Sequence, residues 1–404
     1  MDPIIKKEMS YTAHNYHPLP VVITKGKGVY LWDNKGKKYI DMMSAYSAVS
    51  HGHGHPRILA ALKKQSKDLC IVSRAFHTDR LAPFLEKLCK VTGFPMALPM
   101  NTGAEAVETA IKAARLWGYK VKGIEKNKAK IIVAKQNFHG RTTTIVSFSS
   151  EPAYKEGFGP YTPGFITVPF GDADALEAAI TPEVCAFIVE PMQGEGGIII
   201  PPKGWLKKVQ KICKKNNVLL ILDEIQTGLG RTGKMFAFQH EIDSPDGIIL
   251  GKALGGGIMP VSAFLARRDI MELFTPGSHG STFGGNPIAA AIGLEALNVL
   301  VEEKLVENSA ELGKYMLSRV KAIKSNAISE VRGSGLWVGV DINPKYASAR
   351  KVCERMMAKG VLCKETHDTV VRLAPPLVIT KDIIDKAIDC LEETLREMSA
   401  SASN

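Results

Sequence analysis

Two reactive residues stand where apolar strands end in the middle of this chain. The run VLLILDE (218–224) delivers Asp223, and GIILGKALGGG (247–257) delivers Lys252 ahead of a glycine-rich turn. A lysine at a sheet edge loses solvation, its pKa falls, and its free amine can form an imine with an aldehyde. A carboxylate at a neighbouring strand end can keep a pyridine nitrogen protonated, which makes the ring an electron sink. A surface lysine and a helix-capping aspartate are the ordinary alternatives. They do not explain a buried strand ending in Asp-Glu, which is costly unless the carboxylates have partners. The pair therefore specifies a Schiff-base site for pyridoxal phosphate.

Other residues have types that fit such a site. Thr102-Gly103-Ala104 lead into a helix, whose free N–H groups can hold a phosphate. Ser281-Thr282-Phe283-Gly284-Gly285 offer a hydroxyl and a glycine turn for the same anion. Phe138 could lie on a flat pyridine ring, and Arg141 could grip a substrate carboxylate with two prongs. Arg372, in the apolar run VVRLAPP, needs an anion, and Glu195 in EPMQGEGG is a candidate partner. Two patterns point elsewhere and are set aside. GLGRTG (228–233) matches a dinucleotide fingerprint but neither abuts its strand nor opens a clear helix. His51, His53 and His55 lie in a Gly/Pro loop with no Asp, Glu or Cys at zinc spacing, so no metal site is expected.

The elements that must position these residues alternate strand and helix. A hairpin turns at Asn34–Gly36, after which helices are expected over 58–68, 81–92, 105–121 and 203–216. Strands are expected over 131–134, 186–190, 218–223, 248–250 and 261–266, with Thr143–Ser147 following a turn. This alternation predicts an α/β fold with a mostly parallel sheet covered by helices. After Pro287 the pattern changes: one long helix or two abutting ones over 288–320, a strand–turn–strand, a helix over 347–359, a strand pair over 361–373 and a helix over 381–398. The expected division is an N-terminal segment (1–49) packing with the small domain, a large domain (50–287), a smaller C-terminal α/β domain (288–398) and a disordered tail (399–404).

Composition narrows the class. A chain of 404 residues exceeds one small core, and no apolar run approaches the roughly 20 residues of a membrane span. The amino terminus lacks the apolar core of a secretory signal, and seven cysteines without a CxxC pair suit a reducing compartment, so a cytoplasmic location is expected. The net charge of +11 lies largely in 112–135 and 203–215, where lysines at helical spacing read as a solvated face. No aromatic platform accompanies them, which argues against nucleic acid.

With these pieces together, the chain resembles the class III (ω-amino acid) aminotransferases of pyridoxal phosphate fold type I. The resemblance runs from about Tyr11 to Met398 and rests on LLILDEIQTGLGRTG and GKALGGG. HNYHPLPVV, SAYSAVSHGHGHP, MNTGAEAVETAIK, HGSTFGGNP and RLAPPLVI are similar to the branch that transfers the δ-amine of L-ornithine to 2-oxoglutarate, giving glutamate 5-semialdehyde and glutamate. The resemblance implies that Lys252 carries the cofactor and moves the proton, Asp223 holds the pyridinium, and Gln226 bonds the ring 3′-oxygen. It implies that Gly103 and Ala104 bind the phosphate, Phe138 covers the ring, and Thr282 reaches the neighbouring subunit's cofactor in a homodimer. Tyr16 and Arg141 would hold the α-groups of ornithine in a pocket shaped by Tyr46. Arg372 would take the α-carboxylate of the oxo acid, and Glu195 would mask it while ornithine is bound. Branches acting on N-acetylornithine or γ-aminobutyrate share the core but differ where Tyr46 stands.

Overall fold

The computed structural model describes residues 2–402, with side chains through Ala400. Its fifteen strands are β1 (Ile23–Lys27), β2 (Tyr30–Asp33), β3 (Lys38–Asp41), β4 (Met96–Met100), β5 (Lys130–Ala134), β6 (Phe165–Val168), β7 (Val184–Val189), β8 (Leu219–Asp223), β9 (Gly247–Leu250), β10 (Ser262–Ala266), β11 (Ile328–Gly333), β12 (Val338–Ile342), β13 (Val361–Leu362), β14 (Lys364–Thr366) and β15 (Val370–Leu373). Seven form the largest sheet, in the order β4-β10-β9-β8-β7-β5-β6. From β9 to β6 every pairing is parallel, and β10 alone runs antiparallel to both neighbours. Strands β7 and β8 are buried at every position, as apolar runs covered on both faces must be. The helix Gly103–Lys120 buries Val107, Ile111 and Trp117 in the core on one side. The helix Trp205–Lys215 buries Trp205, Leu206 and Val209 in the other and turns its lysines outward.

Two four-stranded sheets complete the fold. One has the order β1-β2-β3-β13, so the amino-terminal hairpin continues into a strand from the far end of the chain. The other, β11-β12-β15-β14, carries Arg372 on β15.

Several elements differ from expectation. Thr143–Ser147 is a short helix, because the Thr142 hydroxyl caps it by accepting from the Ile145 N–H at 3.2 Å. Pro3–Tyr11 is also helical, started by Asp2 and by a proline in the first turn, where the missing N–H costs nothing. The stretch 288–320, by contrast, takes one of its two expected forms, as two abutting helices, Pro287–Glu302 and Leu305–Ala322, broken where Lys304 takes φ +53°. The expected disordered tail at 399 is corrected in part. The last helix runs Lys381–Ala402, since Met398 is buried and the Ser399 hydroxyl lies 3.5 Å from that of Ser325; residues 403 and 404 lie outside the described residues.

Candidate active site

The parallel order of β5, β7, β8 and β9 brings their carboxyl ends side by side, which is where open α/β sheets place ligands. Asp223 ends β8, Lys252 follows β9, Glu190 follows β7 and Phe138 follows β5. A cavity of ≈ 190 Å³ opens there, lined by Asp223, Lys252, Gln226, Phe138, Gly103 and Ala104, all expected from the sequence.

Each wall has a local cause. Thr102 and Glu105 form a capping box at the helix start: the Glu105 N–H donates to the Thr102 hydroxyl at 3.3 Å, and the Thr102 N–H donates to the Glu105 carboxylate at 2.7 Å. This leaves the N–H groups of Gly103 and Ala104, at the cavity wall, for an incoming anion. Lys252 sits at φ +45° as its strand breaks into a 3-10 turn. Burial pulls its pKa below the ordinary lysine value, against the opposing pull of Glu195 and Asp223, so its amine is readied for attack on a carbonyl.

Asp223 has a partner that sequence reasoning passed over. His139 Nδ1 lies 2.6 Å from Asp223 Oδ2, and both side chains are buried. Burial pushes the imidazole pKa down, but the Asp223 bond and the charges of Asp223 and Glu190 outweigh it and leave the ring more basic than usual. The other Asp223 oxygen accepts from the Ile225 N–H at 3.0 Å. His139 Nε2 is buried without a partner among the described residues. Glu190 was also missed, although the strand-end reasoning that finds Asp223 applies equally to VCAFIVEP. Burial pushes its carboxyl up to about 7.

A second cluster stands beside the cavity. Arg372 donates from Nη1 to Glu195 Oε1 at 2.7 Å, and its guanidinium lies 4.8 Å from the centre of the Tyr46 ring. Burial pushes the Glu195 carboxyl up, but Arg372 and Lys252 overcome this and hold it below its ordinary value. Tyr46 is presented by an unusual backbone. Ser44, Ala45, Tyr46 and Ser47 have φ of +44°, +46°, +59° and +75°, a left-handed turn that non-glycine residues avoid. The Ser44 hydroxyl holds this turn by donating to the Ala374 carbonyl at 2.7 Å. Arg141 is exposed and lies over Tyr154, another residue the sequence did not single out, at 3.5 Å from the ring centre and 5.6 Å from that of Phe138. Tyr16 is 79% exposed, though its phenol is near enough to act on that of Tyr46. Thr282 is exposed and outside the cavity wall.

The two distracting motifs have other uses. Arg231 of GLGRTG is fully buried and donates to carbonyls and hydroxyls of distant segments. His51, His53 and His55 face Ala296 O, Asp41 and Glu303 respectively, three separate partners.

The carboxyl end of a parallel sheet with a desolvated lysine, a buried carboxylate and an open helix start defines a pyridoxal phosphate-dependent transferase site. The chain matches the family aminotransferase class-III over residues 11–395, and it belongs to that family. It is 58% identical over 386 residues to the ornithine aminotransferase of Geobacillus sp. (strain WCH70), covering 96% of each chain. The structure of ornithine aminotransferase from Toxoplasma gondii ME49 superposes with a TM-score of 0.97 at 41% identity, covering 98% of this chain and 95% of that one. Acetylornithine aminotransferase from Elizabethkingia anophelis superposes with a TM-score of 0.90 at 49% identity, covering 98% of both.

Proposed function

We propose that the chain is an L-ornithine:2-oxo-acid δ-aminotransferase, working as a cytoplasmic homodimer. The Glu195–Arg372 pair beside Lys252 carries the reading, and the similarity to proteins named ornithine aminotransferase supports it.

Two substrates must use one site in different orientations. Ornithine presents its distal amine, whereas glutamate presents the amine next to its carboxylate. When bound, pyridoxal phosphate supplies the carbonyl that takes up the amine and the ring that receives the electron pair. The residues around it do the rest. Gly103 and Ala104 would hold the phosphate through backbone N–H groups, with help from Thr282 of the partner subunit. Phe138 would cover one face of the ring, Gln226 would bond the 3′-oxygen, and Asp223, itself steadied by His139, would keep the ring nitrogen protonated. Lys252 would take the proton from the carbon bearing the substrate amine and deliver it to the cofactor carbon on the other side of that nitrogen.

Tyr16 and Arg141 hold the α-amino and α-carboxylate groups of ornithine, leaving the δ-amine to reach the centre, and Tyr46 shapes that pocket. During this half-reaction Glu195 covers the Arg372 charge. When 2-oxoglutarate arrives, Glu195 swings aside and Arg372 takes the α-carboxylate by a charge-assisted, two-pronged contact. The products are glutamate 5-semialdehyde and then glutamate. The pairing of β13 with β3 supports reading residues 1–49 as a segment that packs with the small domain, 288–398, while 50–287 form the large one.

The test is one half-reaction. L-Ornithine is added without an oxo acid to the cofactor-loaded protein, and the visible band of the cofactor is followed. Rapid loss of the band with stoichiometric glutamate 5-semialdehyde is the expected result. A band that persists with ornithine and disappears with N-acetylornithine would move the protein to the activity named for the Elizabethkingia structure.

A further inference from the structure

Glu195 is fixed at its backbone. The Gly194 N–H just before it donates to Glu190 Oε1 at 3.3 Å. Its own carbonyl accepts from the Thr366 hydroxyl of β14 at 2.6 Å. The turn leading to it is held as well: the Gln193 side-chain amide donates to the Lys135 carbonyl at 2.6 Å, and the Gln193 N–H pairs with Ile199 O at 3.0 Å. Gly194 packs against the Gln226 side chain, and a Cβ there would fall 1.6 Å from Gln226 Oε1.

The other Glu190 oxygen reaches a different loop. Its Oε2 accepts the Phe138 N–H at 3.0 Å. One buried carboxylate therefore ties the loop that covers the cofactor ring to the loop that carries the Arg372 mask. A carboxyl group suits this place because two backbone donors, the N–H groups of Phe138 and Gly194, face its two oxygens.

We infer that Glu190 and Thr366 are positioning residues for substrate choice, clamping the backbone on either side of Glu195 so that the mask opens by side-chain rotation alone. This rests on the reading that Glu195 masks Arg372. A clamped backbone limits Glu195 to a few rotamers. One keeps the 2.7 Å pair with Arg372 closed, and another releases it. Without the clamp the whole loop can shift, the closed pair is held less often, and an α-carboxylate gains access to Arg372 during the ornithine half-reaction.

The test uses full-length, cofactor-loaded protein and compares kcat/KM for the L-ornithine and L-glutamate half-reactions. Thr366→Val keeps the branched shape and removes the donor. It is expected to shift the ratio about tenfold toward glutamate, the effect of losing one hydrogen bond, and Thr366→Ser is expected to restore it. Glu190→Gln places an N–H₂ group against a backbone donor; a shift in the same direction, with weaker cofactor retention through Phe138, is expected. A purely structural role would lower thermal stability and both half-reactions together, leaving the ratio where it was. Glu195→Ala serves as the reference. If it shifts the ratio while Thr366→Val and Glu190→Gln do not, the clamp is wrong and the mask stands. If Glu195→Ala leaves the ratio unchanged, the mask fails and the clamp falls with it.

Discussion

Arg372 carries the clearest consequence at the scale of single residues. Its guanidinium is almost fully buried and its anion is Glu195. In Arg372→Gln, 2-oxoglutarate loses a charge-assisted contact, so its KM is expected to rise about 10- to 100-fold. On the proposed masking of Arg372 by Glu195, the ornithine half-reaction should change far less. Stopped-flow traces of the two half-reactions check this, and an equal loss in both would refute the assignment. Lys252, Asp223 and Arg372 were legible in the sequence because each breaks an apolar run, and a charge there demands a reason. His139 and Tyr154 were not. His139 follows β5 and touches Asp223 at the end of β8, a contact that depends on the strand order β8-β7-β5. Tyr154 meets Arg141 through the path of a loop, and no periodicity in the sequence encodes that path.

Strands and helices follow the apolar pattern where they are long, and local chemistry where they are short. β7 and β8 were readable as unbroken apolar runs, whereas β4 contains Pro99 and β6 is only four residues, FITV. The left-handed turn at Ser44–Ser47 has no sequence signal at all, since it contains no glycine. Just beyond it, His51 joins the chain to the helix Pro287–Glu302. Its Nε2 lies 3.0 Å from the Ala296 carbonyl, and burial lowers its pKa to about 4. The sign follows from linkage. The folded value lies below the ordinary value of 6.5, so the unfolded chain binds the proton more tightly. The contribution of a neutral His51 is complete above the unfolded value and is lost as pH falls toward about 4. Between pH 7 and pH 5 this amounts to about 2 kcal/mol. His51→Gln keeps a donor for Ala296 but cannot titrate. Urea unfolding at the two pH values should therefore show the variant losing about 2 kcal/mol less than the parent on acidification; equal losses would mean that His51 does not titrate with folding.

Across the whole molecule, distant parts of the chain meet at Arg231. Its Nη1 donates to the carbonyls of Leu336 at 2.9 Å and Pro375 at 2.7 Å, and its Nη2 donates to the hydroxyls of Ser44 at 3.1 Å and Ser50 at 3.2 Å. Its carbonyl accepts from Ser309. The arginine is fully buried, and burial lowers its pKa to about 9, so it remains a cation held mainly by neutral acceptors. Packing accounts for a glycine in the same motif: a Cβ on Gly233 would sit 3.0 Å from the Ala310 backbone, and φ there is +84°. It also links stability to specificity, because Ser44 begins the strained turn that presents Tyr46. Arg231→Lys keeps the charge but replaces a planar fork with one ammonium that cannot span four acceptors. It is expected to cost about 1–3 kcal/mol. Arg231→Met, which leaves buried carbonyls without a donor, should cost about 3–5 kcal/mol. Thermal unfolding measures both. At a temperature where Arg231→Lys is fully folded, the turn should relax and Tyr46 should lose its place beside Arg372, so the preference for ornithine over glutamate should fall as well. A variant that loses stability but keeps that preference would show that the Ser44–Ala374 bond holds the turn without Arg231, and that the left-handed backbone is supported locally rather than by the fold as a whole.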